Sequence, residues 1–317
     1  MDIEYKYHKA TIREPVSFIG VGLHTGRTIQ LSLKPSVDRR GIFFVRKDLP
    51  APINIIEASW YNVSDTHLST NLSNQYRVSV HTVEHLMSAL YACGIDSVRI
   101  ELDGPEIPIM DGSAVVFAQT IRNAGKSYLN AAREAIWIEQ PVVVTEGDKY
   151  ALLIPSTVPR VTACIDFPGT AIGSQCYSVE LQGDNYFNEV AYARTFGFAS
   201  QVEQLKRQGL IQGGSLINAI LVDGQAVVNT EGLRIENEFV RHKILDAIGD
   251  MYLAGSPVMG HYFAYKAGHS LNQKLLQKLY SEQSSWSLLP LKEGERRFAD
   301  REEKRIEEYF QQLESVG

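Results

Sequence analysis

The chain has 317 residues, 44% hydrophobic and 21% charged, which fits a folded globular protein of two ordinary domains or one large one. Those proportions exclude collagen-like, coiled-coil and disordered classes. The net charge of −6 arises from interspersed acidic and basic residues, with no basic stripe, so no nucleic-acid partner is expected. Met1-Asp2-Ile3-Glu4-Tyr5-Lys6 lacks the basic-then-apolar order of a signal peptide, and no window holds 18 consecutive apolar residues. A soluble, cytoplasmic protein is therefore expected. Cys93, Cys164 and Cys176 contain no CxxC pair, and free buried thiols are the expectation for all three.

Thr28-Ile29-Gln30-Leu31-Ser32-Leu33 alternates with period two, as a half-buried strand does, and residues 41–45 form a second strand. The spacing of Val83, Leu86, Met87 and Leu90 predicts a helix over 82–92, with Gly94 in the stop position. Residues 97–102 alternate again before the turn Asp103-Gly104-Pro105, and a helix follows over 114–124. Residues 127–135 are polar and Ala-rich without strong periodicity, and read as a junction. Beyond it the pattern restarts, with strands over 135–138, 141–145, 150–154 and 160–165. A helix over 200–208, a strand over 219–222, a strong helix over 238–254, a strand over 262–266 and a helix from near Ser270 complete it. Residues 294–314 read as a solvated, charged helix.

Eight histidines occur, and most lone ones are packed or surface residues. Two sit in company. His81-Thr82-Val83-Glu84-His85 matches the H-x-x-E-H string of inverted zinc peptidases, with two imidazoles one helical turn apart. Later, His242, Asp246 and Asp250 stand at i, i+4 and i+8, which at ~100° per residue covers only about 80° of a helix, with Lys243 on the flank. Phe239 and Leu253 project close to that stripe, so it is expected to be partly covered, and buried carboxylates need partners. His85, His242 and Asp246 together offer three ligands and leave a fourth position open, the composition of a catalytic zinc site. Glu84, beside His85, is the candidate general base. His269, in the turn Lys266-Ala267-Gly268-His269-Ser270, is the candidate acid, with Asp250 raising its pKa.

Longer blocks carry a resemblance. They are Thr82-Val83-Glu84-His85, Glu106-Ile107-Pro108-Ile109-Met110-Asp111-Gly112-Ser113, Ala193-Arg194-Thr195-Phe196-Gly197-Phe198, Gly213-Gly214-Ser215 and Gly232-Leu233-Arg234. Phe239 through Asp250, Gly268-His269-Ser270-Leu271-Asn272 and, near the start, Gly20 through Gly26 complete the set. In these blocks, from about residue 10 to 280, the chain resembles the UDP-3-O-acyl-N-acetylglucosamine deacetylases of lipid A biosynthesis.

The resemblance implies an α+β fold of two domains with like topology, each a sheet with packed helices, and an active site between them. The domains are expected at 1–130 and 131–317. It implies a zinc amidase, with iron an alternative in the cell, that removes acetate from an acylated UDP-N-acetylglucosamine. By motif the metal ligands are His85, His242 and Asp246, the base is Glu84, and His269 is the acid supported by Asp250. Thr195 would stabilise the oxyanion, Phe196 would pack on the sugar, and Lys243 would meet the phosphate side. An insert near 209–221 would hold the acyl chain. The family pattern makes His81 a helix-start residue, and leaves His24 and His67 without an assigned role. A monomer, in transient contact with the inner membrane face through its lipid substrate, is expected.

Two other readings are a metallopeptidase that uses His81 and His85, and a non-catalytic nucleotide-sugar binder. Binding alone needs neither Glu84 nor His269. Bound zinc separates the peptidase reading from the deacetylase one. The deacetylase reading expects Asp246→Ala to lose the metal and His81→Ala to keep it, and the peptidase reading expects the reverse.

Overall fold

The computed structural model describes residues 3–37 and 41–314, so Met1 and Asp2 of the N-terminal reading lie outside it. It is an α+β protein built around two five-stranded sheets. The first runs, in spatial order, Val16–Val21, Thr28–Pro35, Val98–Leu102, Ile42–Arg46 and Ile55–Glu57. The second runs Val142–Glu146, Lys149–Ile154, His261–Tyr265, Arg160–Phe167 and Gly173–Glu180. In each sheet the last strand along the chain enters the centre, antiparallel to one neighbour and parallel to the other. The two topologies are the same.

Each sheet follows from its side-chain alternation. Ile29, Leu31 and Leu33 point inward and are fully buried, while Thr28, Gln30 and Lys34 face out. The helices are α1 (Glu84–Cys93), α2 (Val115–Ala124), α3 (Asn185–Glu189), α4 (Ala199–Arg207), α5 (Glu238–Tyr252), α6 (His269–Ser281) and α7 (Leu291–Glu314). α1 ends where Gly94 takes the left-handed conformation, φ 63°, and returns its N–H to Leu90 and Tyr91. α5 packs along α1 on one side and the second sheet on another. Its apolar residues Phe239, Val240, Ile244, Leu245 and Ile248 are buried, and so is its polar stripe. A helix enclosed on all sides is the middle of a layered molecule.

Some sequence expectations change. α1 starts at Glu84 rather than Thr82, because Thr82 has φ 58° and cannot belong to a right-handed helix. The presumed junction is the strand Lys126–Ala132, paired antiparallel with His8–Ile12. Its residues alternate between exposed and half-buried, so it carries none of the apolar signal by which strands are read. Cys164 and Cys176 are not free thiols: they face one another across the hairpin, Cα atoms 4.1 Å apart, and are disulfide-bonded. Cys93 is free and buried. The start of α7 is docked rather than solvated, with Phe298 buried against Trp137. No helix among the described residues is long and apolar enough to cross a membrane.

One close approach lets α1 and α5 meet. A Cβ added at Gly249 would lie 2.0 Å from the carbonyl oxygen of Glu84. The helices touch backbone to backbone at the point where α1 begins. Gly249→Ala must therefore push them apart, and overpacking of this kind costs about 1–3 kcal/mol. Thermal denaturation should show a clear fall in Tm; a variant as stable as the parent would contradict the close crossing.

Candidate metal centre

Three segments converge on a cavity of ≈ 320 Å³. The first turn of α1 brings Glu84 and His85, directly after the left-handed Thr82. α5 brings His242 and Asp246 one turn apart, and Asp250 one turn further. After the strand His261–Tyr265, a turn with Lys266 at φ 54° starts α6, whose first residue is His269. Backbone conformations that ordinary residues seldom adopt, as at Thr82 and Lys266, cluster at functional sites.

His85, His242 and Asp246 are almost wholly buried, and their candidate ligand atoms lie within 4.8 Å of one another. Oδ1 of Asp246 is 3.5 Å from Nε2 of His85 and 3.4 Å from Nε2 of His242. The two imidazole rings stand edge to face, 87° apart. Nδ1 of His242 is 3.0 Å from the carbonyl oxygen of Ala193. A carbonyl only accepts, so Nδ1 carries the proton and Nε2 presents a lone pair to the cluster. Lys243 donates to Oδ2 of Asp246 at 2.8 Å, while Oδ1 is buried and accepts no hydrogen bond. Nδ1 of His85 is also buried without a partner. A carboxylate oxygen left in this state, flanked by two imidazoles, is a costly arrangement that a cation relieves. The three residues could hold a metal ion.

Burial pushes the His242 imidazolium down to about 3, although Asp246 opposes this, so the ring is neutral and able to ligate. Burial works against the charge on Asp246 too, but the Lys243 ammonium that donates to it helps to hold the carboxyl well below its ordinary range. Lys243 is raised, because Asp246 overcomes the cost of its burial.

Beside the triad lies an acid–base cluster. Oε2 of Glu84 accepts from the Thr70 amide at 3.0 Å, and Oε1 lies 3.8 Å from Nε2 of His269. Burial raises the Glu84 pKa, partly offset by His269 and His85. Asp250 accepts from Thr70 Oγ1 at 2.6 Å, His269 Nδ1 at 2.8 Å and Asn272 Nδ2 at 2.8 Å. Burial disfavours a charged His269, yet Asp250 first, then Glu84 and Asp246, raise its pKa to about 9. At neutral pH this imidazole is a cation.

All nine residues singled out from the sequence are at this site. His85, His242, Asp246, Glu84 and His269 line it, and Asp250 stands behind His269, 2.8 Å from its Nδ1. Thr195, Phe196 and Lys243 line the same cavity, with Lys243 Nζ 5.5 Å from the Phe196 ring centre. His81 is turned away, 2.9 Å from Ser79 Oγ, and takes no part in the ligand cluster. His67 is exposed. His24 is buried with neither ring nitrogen hydrogen-bonded. The sequence reading missed Thr70, which touches Glu84, Asp250 and His269 at once. It sits in an irregular loop with no motif, and only the fold brings it within reach. Asn272, one turn into α6 and held by Tyr262 at 2.5 Å, was in a quoted motif but carried no role.

The sequence model of the family described as UDP-3-O-acyl N-acetylglycosamine deacetylase matches residues 9–281. A UDP-3-O-acyl-N-acetylglucosamine deacetylase of Myxococcus xanthus is 47% identical over 289 residues, 91% of each chain. Proteins of the same name from Geobacter sp. strain M21 and Campylobacter fetus are 45% and 44% identical, over 88% and 90% of this chain and 91% and 96% of theirs. These matches show that the chain, with its candidate metal-ligand cluster and doubled sheet, belongs to the UDP-3-O-acyl-N-acetylglucosamine deacetylase family.

Proposed function

We propose that this protein is a zinc-dependent amidase that hydrolyses the acetamide of UDP-3-O-acyl-N-acetylglucosamine, giving acetate and the free amine, in lipid A biosynthesis. The observation that carries the reading is the orphaned Oδ1 of Asp246 between the imidazoles of His85 and His242, next to a buried carboxylate and a buried imidazolium. A ligand set of two nitrogens and one oxygen suits zinc, and ferrous iron binds the same set more weakly. When bound there, zinc supplies Lewis-acid polarisation of the amide carbonyl and lowers the pKa of water to about 7.

The chain's own residues do the rest. Glu84, desolvated and steadied by the Thr70 amide, takes a proton from the attacking water. As water adds to the carbonyl carbon, negative charge gathers on the carbonyl oxygen, and the Thr195 hydroxyl helps to hold it. His269, kept cationic by Asp250, offsets that charge and gives its proton to the departing nitrogen. The C–N bond then breaks, leaving acetate and the sugar amine. Phe196 packs against the sugar ring. Lys243 holds Asp246 with one donor and has others to offer the phosphate side of the substrate. The acyl chain lies along the segment near 209–221, whose Ile217 is 81% exposed and free to meet lipid. Domains of 1–130 and 131–317, a cytoplasmic monomer, and transient contact with the inner membrane face complete the proposal.

Two measurements test it. Glu84→Ala should retain zinc yet lose about 10²–10⁴-fold in turnover on the acylated UDP-sugar, the range for general base catalysis; full activity in that variant ends the assignment. The pH profile of kcat/KM should be bell-shaped. It should fall on the acid side as Glu84 gains a proton, and on the alkaline side near pH 9 as His269 loses one. Because Asp250 is the largest influence raising His269, Asp250→Ala should move the alkaline limb toward neutral pH. An unmoved limb would assign it to another group.

A further inference from the structure

Glu238 lies outside the cavity and takes no part in the chemistry described above, yet it is completely buried and unusually well supplied with donors. Its Oε1 accepts from the Arg194 amide at 3.0 Å and from Arg194 Nε at 2.9 Å. Its Oε2 accepts from the Arg234 amide at 2.6 Å and from Arg194 Nη2 at 3.3 Å. Glu238 is the first residue of α5, and His242 stands one turn along the same face.

The Arg194 N–H and the Ala193 C=O are two ends of one peptide group. Glu238 grips the N–H end, and His242 Nδ1 grips the C=O end at 3.0 Å. A buried carboxylate is thus joined to a candidate metal ligand through a single planar amide. We propose that Glu238 is a positioning residue of the metal centre, acting on His242 through the Ala193–Arg194 peptide.

The physical reason is threefold. A peptide unit is rigid about its C–N bond, so fixing its N–H fixes the direction of its oxygen. That oxygen then admits only one tautomer of His242, with the lone pair on Nε2 directed at Asp246 Oδ1 and His85. A carboxylate on the N–H also polarises the amide and makes its oxygen a stronger acceptor, which raises the basicity of the imidazole beyond it. Metal-binding histidines commonly hand their second N–H to a carboxylate or a carbonyl; here the carbonyl has a carboxylate behind it. Arg194 neutralises that carboxylate and has a further contact to the Gly232 carbonyl at 2.7 Å. The buried carboxylate of the clamp is therefore paired without drawing on the metal site. The same segment continues directly into Thr195 and Phe196, which places both at the cavity wall.

The inference rests on the metal-centre reading, and the test separates the two. Zinc dissociation constants, measured by chelator competition on metal-free protein, compare the parent with Glu238→Gln and with Glu231→Gln. Glu231 also pairs with Arg194, at 2.8 Å, but does not touch the peptide. Glu238→Gln should bind zinc measurably more weakly, by no more than the about 10–100-fold of losing a ligand's direct hydrogen-bond partner, while Glu231→Gln should bind as the parent does. Equal zinc affinity in a folded Glu238→Gln protein overturns the proposal and leaves the deacetylase reading intact. A parent protein that binds no zinc overturns both. Should Glu238→Gln not fold, nitrogen-15 spectra of the metal-free parent decide. His242 protonated on Nδ1 and bare on Nε2, with a strongly downfield Arg194 amide proton, supports the clamp, and the opposite tautomer overturns it.

Discussion

The buried carboxylate of Asp246 is the constraint on which this structure turns. An ionised group away from water is tolerated only where every lone pair meets a charge or a donor. Lys243 answers one of its oxygens. The other faces two imidazoles, one of which, His242, is turned by the Ala193 carbonyl so that its lone pair points inward. That oxygen accepts no hydrogen bond in the structure, which is why the cluster has the electrostatics of a cation site. The neighbouring Glu84, Asp250 and His269 add a second set of opposed charges, and the imidazolium of His269 keeps two buried carboxylates affordable at neutral pH.

The doubled topology explains why the site lies where it does. Each half covers one face of its sheet with helices, and those helices pack on each other across the middle. Gly249 removes the side chain that would hold α5 away from the start of α1, so candidate ligands separated by more than 150 positions reach one ion-sized space. Loops from both halves then wall the cavity. Glu106, wholly buried, accepts from the amides of His24 and Thr25. That loop in turn receives the amides of Gln212 and Gly213 from the second half. The cavity wall is thus fixed by backbone hydrogen bonds across the two halves, which side-chain patterns do not announce.

Much of this was legible in the chain. The alternation over 28–33 and the helical spacing over 238–254 correspond closely to elements of the fold, because burial on one face leaves a period in the residue types. Elements with weak burial contrast were missed: the strand Lys126–Ala132 has one exposed and one half-buried face, and Thr82 looked helical because threonine carries no mark of a left-handed backbone. The pairing of Cys164 with Cys176 depends on hairpin register, and twelve residues of separation leave many registers open. That the nine candidate residues lie near one another was legible for a different reason: helical offsets put polar side chains on one face of α5, and ordered motif blocks add identity to spacing.

Taken alone, the order of residues determined most of the helices and strands, the family resemblance, and which side chains are chemically suited to bind a cation or move a proton, since these depend on local spacing and residue type. Only the tertiary structure decided which of the candidates meet. It set His81 aside and drew Thr70 in. It joined Glu238 to His242 through a peptide group that neither residue's own neighbourhood contains. Contacts between distant segments arise from how two sheets and their helices close-pack, and packing distance is a property of the folded whole rather than of any stretch of the chain.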